Sequence, residues 1–156
     1  MILLHYNERM NEKFSNHLIA MVRQLEFELA GVKKGIHLIT GFILNKTGNL
    51  PENGLLHIFL KHTSASIIIN ENTDPDVPQD IETYMNRLVP ESNTIYNHNL
   101  EGLDDMPAHI KASLFGQSIT IPISNHSLNL GSWQGIYLCE FRNHGGPRKF
   151  VLTILQ

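Results

Sequence analysis

Residues 62–76, HTSASIIINENTDPD, set a β-branched apolar run between two polar ends. The middle, Ala65-Ser66-Ile67-Ile68-Ile69, reads as a buried strand, because β-branched side chains suit a pleated, packed surface. On one side stand His62, Thr63 and Ser64; on the other stand Asn70-Glu71-Asn72 and then Asp74-Pro75-Asp76. Polar groups at both mouths of a hydrophobic strand fit a binding site better than a purely structural element. At about 3.3 Å per residue, His62 and Glu71 lie about 30 Å apart on a straight strand. They can share a small pocket only if the chain bends or if neighbouring subunits meet there.

Upstream, Leu25, Phe27 and Leu29 alternate with Gln24, Glu26 and Glu28, the period-two pattern of a half-buried strand. Ile36, Ile39 and Ile43 recur at spacings of three and four, which predicts a short helix ended by Gly48 and Pro51. Residues 55–61 and 64–70 read as two strands joined tightly around Lys61-His62-Thr63. Asp76 is expected to cap a helix over 77–88, and Pro107 suits the first turn of a short helix that runs to about Leu114 and closes at Gly116. Strands are expected at 118–123, 128–130, 134–142 and 149–155, with Gly145-Gly146 as a hairpin turn between the last two. Two to three short helices among strands define an α+β sheet protein and not an alternating α/β one. Residues 21–156 read as one domain. Residues 1–20, with weak helical spacing at Phe14, Leu18 and Met21, read as an N-terminal extension.

The 156 residues suffice for one well-buried core, and 42% hydrophobic with 17% charged residues argues against disorder. A net charge of −3 without long runs of either sign leaves no electrostatic footprint for nucleic acid or an anionic membrane. One cysteine, Cys139, cannot form an internal disulfide. With no signal-peptide pattern at the start, the expected setting is the reducing cytoplasm. Cys139 itself lies in an apolar alternation and reads as a buried, inert thiol.

Nine histidines stand out. His57 reads as a structural residue on a strand face, and His37 and His126 as surface or turn residues. His62, His98 and His109 keep other company: hydroxyls, the segment Tyr96-Asn97-His98-Asn99, and Asp104-Asp105 on the first turns of a helix. Neutral imidazoles and carboxylates suit zinc or a similar divalent ion, although their spacing matches no established zinc signature. Asn70 and Glu71 are either capping residues or ligand contacts. Trp133, between Gly131 and Gly135, packs a turn or faces a ligand beside Gln134. Arg142 and Arg148 flank the Gly-rich turn, where two guanidiniums and free amides can hold a phosphate or carboxylate.

Three blocks carry a resemblance: HTSASIIINENTDPDV, HNLEGLDDMPAHIKASLFGQSITIPI and LGSWQGIYLCEFRNHGGPRKFV. They resemble the YjbQ-like family, whose members often bear the name secondary thiamine-phosphate synthase enzyme. The likeness runs from about Val22 to the C-terminus, with Met21 resembling the family's start. It implies a compact α+β fold on a mixed β-sheet or sandwich, a homotrimer, and a site between subunits. The motif histidines fall on His62, His98 and His109, and the acidic and amide positions on Asn70, Glu71, Asp104 and Asp105. Trp133, Gln134, Glu140, Arg142 and Arg148 match the later blocks. Ser124-Asn125-His126-Ser127 replaces a turn that commonly holds glycine, and Asn can supply the same left-handed conformation.

The resemblance implies an enzyme acting on a phosphorylated small molecule, with thiamine-phosphate synthesis as its named or promiscuous reaction. His62, His98 and His109 would hold a divalent metal, zinc first, with magnesium the alternative for a pyrophosphate substrate. Arg142 and Arg148, with Lys111 as a further candidate, would stabilise charge on a pyrophosphate leaving group. Glu71 or Asp105 would serve as general base or orient a ligating histidine. Asn70, Asp104, Trp133, Gln134 and Glu140 complete the ligand contacts. A metal-dependent hydrolase and a non-catalytic metal- or ligand-binding trimer are the alternatives.

Overall fold

The computed structural model describes residues 21–156. The expected extension lies outside the described residues. Two antiparallel sheets form a sandwich. Strands β1 (Val22–Leu29), β8 (Arg148–Leu155), β3 (Asn53–Leu60), β5 (Ser118–Ser124) and β6 (Ser127–Leu128) make the larger, in that order. Strands β2 (Gly35–Leu38), β7 (Gln134–Glu140) and β4 (Ala65–Glu71) make the smaller. Helices α1 (Thr40–Thr47), α2 (Asp76–Leu88) and α3 (Asp105–Phe115) complete an α+β fold.

The triple isoleucine of β4 is explained by its two covered faces. Ala65 and Ile67, with Ile69 packed against them, join Ile136, Leu138, Leu56, Ile58, Phe150 and Leu152 in the core between the sheets. Ile68 turns the other way, toward a second cluster built by Ala108, Ala112, Cys139 and Phe141 under α3. Ser66, on that same face, donates its hydroxyl to the Ala112 carbonyl. A strand covered on both faces reads as a continuous apolar run, whereas β8 shows the regular alternation of a strand with one solvated face. Each fully buried isoleucine or leucine contributes about 1.5–3 kcal/mol relative to exposure.

The structure departs from several sequence expectations. Ile36 and Ile39 do not share a helix with Ile43: Gly35–Leu38 is β2, paired with β7, and the helix starts at Thr40. The repeat of three and four arises because the strand, the residue that joins it to the helix and the helix each turn one isoleucine inward. Gly145-Gly146 is not a hairpin turn, since β7 and β8 belong to different sheets. Segment 141–147 crosses between the sheets, and so do 61–64 (β3 to β4) and 30–34 (β1 to β2), all at the same end by the strand registers. Asp76 does not cap α2. Asp74 accepts the Asp76 amide through Oδ1 at 2.9 Å instead. The β5–β6 turn holds Asn125 and His126 both at positive φ, 50° and 61°, so a two-residue hairpin with a right-handed twist forms without glycine.

Candidate functional site

The crossing end of the sandwich gathers the chemistry. The loop before α3 carries His98, and α3 opens with Asp105 and carries His109 one turn later, so both side chains share one helix face. Asp105 is 1% exposed. His98 Nε2 lies 2.8 Å from Asp105 Oδ2, and His109 Nε2 lies 3.6 Å from Oδ1. One ligand atom from each of the three residues falls within 4.8 Å of the others. His109 donates Nδ1–H to the Thr63 carbonyl at 3.0 Å, which leaves Nε2 with its lone pair facing the cluster. An outer partner that sets the tautomer in this way is the usual arrangement behind a metal-binding imidazole.

Arg142 anchors the carboxylates and does not offer itself to an anion. Its Nη1 pairs with Asp105, its Nε donates to Asp104 Oδ2 at 2.9 Å, and its Nη2 donates to the Glu101 carbonyl at 2.8 Å. The Asn143 amide also donates to Asp104, at 2.8 Å. Burial by itself would raise the Asp104 carboxyl, but the Asn143 amide and Arg142 outweigh it and hold the group below its ordinary value. Two carboxylates against one guanidinium leave the cluster net negative, which favours a cation. Gly102 is required on the approach: its φ is 117°, and a Cβ there would lie 2.7 Å from Asp104 Oδ1.

His62 stands beside this cluster but outside it. Its Nε2 accepts the Lys149 amide at 2.8 Å, and its Nδ1 faces Arg148 Nη1 at 3.2 Å, so the expected three-histidine set becomes His98, Asp105 and His109. His62 and His109 line one open groove of about 730 Å³, together with Phe59, Thr63, Ser64, Ser113 and Gln117. Arg148 and Glu140 project into the end of the space between the sheets and form a two-bond pair, with Nε and Nη2 each 2.6 Å from a carboxylate oxygen. A Cβ on Gly145 would lie 2.5 Å from Glu140 Oε1, so the crossing loop fits over that pair only with glycine there.

The remaining candidates lie elsewhere. Asn70, Glu71, Trp133 and Gln134 sit at the opposite end of the smaller sheet, where Glu71 pairs with Gln134 in register while Ala65 pairs with Glu140 at the near end. Six residue steps separate the ends, about 20 Å. Trp133 is 67% exposed and does not pack its turn. Lys111 is 2% exposed, donates to Asn86 Oδ1 at 2.6 Å, and faces α2 instead of the groove. Burial first, and then Lys34, push it down to about 8. Burial pushes the Cys139 thiol up to about 12, which fits the inert role expected of it. The groove residues Phe59, Ser113 and Gln117 escaped the sequence reading. Ser113 alone had a signal, four residues beyond His109 on the same helix.

His62 gives the fold a pH dependence of definite sign. Burial, then the Arg148 charge, hold its pKa below the ordinary imidazole value; Lys149 adds to this, while Glu140 and Glu28 oppose it. The unfolded imidazole takes up its proton near pH 6.5 and the folded one only at lower pH. Between those values the unfolded chain binds more protons, so stability falls on acidification through about pH 6.5 and levels off below the folded pKa. Thermal melts of wild type and His62→Gln between pH 8 and 5 should show the steeper acid loss in wild type; parallel curves would remove His62 as its source.

An antiparallel sandwich that carries a two-histidine, one-aspartate cluster on a helix start and its preceding loop defines the class of this protein. The family model described as UPF0047 protein YjbQ-like matches residues 24–156, and the chain belongs to that family. It is 49% identical over 133 residues to the UPF0047 protein YjbQ of Salmonella typhimurium, covering 84% of this chain and 96% of that one. A UPF0047 protein of Synechocystis is 48% identical over 103 residues, 66% of this chain and 70% of its own length. Among solved structures, a YbjQ-like protein of unknown function from Sulfolobus solfataricus superposes with a TM-score of 0.73 at 26% identity, covering 87% of this chain and 98% of that one. An uncharacterized conserved protein of the YjbQ/UPF0047 family from Clostridium acetobutylicum gives 0.70 at 37% identity, covering 85% and 99%. No helix among the described residues is long and apolar enough to cross a membrane.

Proposed function

We propose that the chain is a metal-dependent enzyme acting on a phosphorylated small molecule. The observation that carries this reading is the convergence of His98, Asp105 and His109, with His109 Nε2 turned inward by its partner Thr63. The donor set, two imidazoles and a buried carboxylate, fits zinc ahead of magnesium. A divalent cation there supplies Lewis-acid stabilisation of charge at a phosphoryl group. Arg142 pairs with Asp105 and holds its carboxylate in position. Thr63, through its carbonyl, fixes the His109 tautomer. The groove beside His109 holds the substrate, with Phe59 as an apolar wall and Thr63, Ser64 and Ser113 as hydroxyl contacts.

Hydrolysis of a phosphate ester is the favoured reaction class. Arg142 is engaged with carboxylates and a carbonyl, so a clamp of two arginines on a leaving pyrophosphate is not available. Thiamine-phosphate synthesis is the second reading, favoured by the one N–H-bearing nitrogen of Arg148, Nη1, that its carboxylate partner leaves over. We also propose the homotrimer, because Glu71, Asn70, Trp133 and Gln134 can reach the groove only from a neighbouring chain.

The test is metal analysis of untagged protein, with sedimentation alongside. About one zinc per wild-type chain, lost in His98→Ala and His109→Ala and kept in His62→Ala, is the expected result. A wild type that takes up no divalent ion, or a His109→Ala variant that retains it, would overturn the metal site. A monomer in solution would remove Glu71 and Trp133 from the site.

A further inference from the structure

The contact between His62 and Arg148 has a mismatch in its protons. Arg148 is 3% exposed, and its Nε and Nη2 are satisfied by Glu140, which leaves Nη1. The atom facing Nη1 is His62 Nδ1, at 3.2 Å. A neutral imidazole carries one proton and offers one acceptor nitrogen. The Lys149 amide can only donate, and it lies 2.8 Å from His62 Nε2, so Nε2 is the acceptor and Nδ1 carries the proton. A donor on His62 then points at a donor on a buried guanidinium. The opposite tautomer does not cure this, since it sets an Nε2–H against the Lys149 amide at the shorter distance. Every assignment leaves one N–H too many, and a protonated imidazole leaves two.

We infer that His62 Nδ1–H and Arg148 Nη1 form an anion subsite that takes a phosphoryl oxygen of the groove's ligand. One oxygen at the apex of the two donors accepts from both and removes the mismatch. His62 lines the same groove as His109, so an anion held by His62 shares that groove with one member of the His98–Asp105–His109 cluster. The hydroxyls of Thr63 and Ser64 line that groove too, and neither makes a hydrogen bond within the described residues. Donors that approach from several directions suit a tetrahedral phosphoryl group with three oxygens better than a planar carboxylate. The surrounding charge is close to balanced: Arg148 is paired with Glu140, Lys61 with Glu26, and Lys149 stands opposite Glu28. Affinity for a bare phosphate should therefore be in the millimolar range, about −4 kcal/mol. The subsite deepens the proposed function by assigning its phosphate contact. It stands without the metal, which lets the two fail separately.

The experiment is a titration of the full chain, stripped of metal with EDTA, with inorganic phosphate, methyl phosphate and acetate, read by calorimetry and by the shift in melting temperature. Wild type should bind both phosphates more tightly than acetate, with a rise in melting temperature, and His62→Ala should weaken phosphate by about tenfold, the loss of one hydrogen bond to a charged group. Tighter binding of methyl phosphate than of inorganic phosphate identifies an ester ligand, and the reverse order a free phosphate. His62→Gln, whose amide can donate in place of Nδ1–H, should recover part of the affinity and guards against misfolding in the alanine variant. Equal phosphate affinity in wild type and His62→Ala, or no binding by metal-free wild type at about 50 mM, far above the affinity anticipated, would overturn the subsite. Zinc binding unchanged in the same variants would leave the metal reading standing alone.

Discussion

Replacing Arg148 with methionine is expected to lower the unfolding free energy by about 3–5 kcal/mol, the cost of leaving one member of a buried ion pair alone. Glu140 is 1% exposed and accepts from Arg148 Nε and Nη2 and from the Arg142 amide. In the variant its carboxylate keeps only the Arg142 amide as a protein partner. Glu140→Leu should cost a similar amount by stranding Arg148. The double variant should lose much less than the sum, because desolvating the two ions offsets most of their attraction, and an apolar pair of similar volume avoids that cost. Urea denaturation of the four proteins measures each term. A loss under about 1 kcal/mol in Arg148→Met, the size of a surface pair, would show that the crossing loop opens readily and that water reaches the pair.

Asp105→Asn should have the largest effect on ligand binding, lowering zinc affinity by at least about a hundredfold, since even an outer partner of a metal ligand is worth 10–100-fold. The amide is isosteric but brings no charge to a cation, and its NH₂ group confronts Arg142 or one of the two histidines. In the metal-free protein the same change should cost about 1–3 kcal/mol, as Arg142 loses a charged acceptor but keeps Asp104 and the Glu101 carbonyl. Competition titrations with a chromophoric chelator, paired with denaturation of the stripped proteins, separate the two effects. Zinc binding at wild-type strength in Asp105→Asn would show that the histidines bind without the carboxylate. Loss of stability without loss of affinity would mark Asp105 as a purely structural partner of Arg142.

Much of the fold was legible in the residues. Local chemistry decides strands at 53–60, 65–71, 118–124 and 148–155 and helices at 76–88 and 105–115, and the expected boundaries lie within a few residues of the observed ones. The same chemistry marked His98, His109 and Asp105, because loop histidines and a carboxylate four positions before a histidine on a helix are visible in one dimension. The trio at 36, 39 and 43 misled because periodicity records which side chains turn inward, and a strand running into a helix can reproduce a helical spacing. The hairpin expected at Gly145-Gly146 failed for a related reason. A glycine turn shows that the chain reverses or crosses, but not which sheet receives the next strand.

The sequence by itself determined an α+β chain with one core, the residue types of the site and its helix-borne half. Only the tertiary structure decided which polar residues meet. Three crossings at one end of the sandwich bring His62 to Lys149 and Arg148, residues more than eighty positions away, and Thr63 to His109. The same packing leaves Arg142 holding carboxylates, turns Lys111 toward α2, and keeps Glu71 and Trp133 at the far end of the smaller sheet. Hydrogen-bond partnership depends on distances of about 3 Å between atoms distant in sequence. Those distances follow from how two sheets are stacked, a property of the folded chain as a whole and not of any one segment.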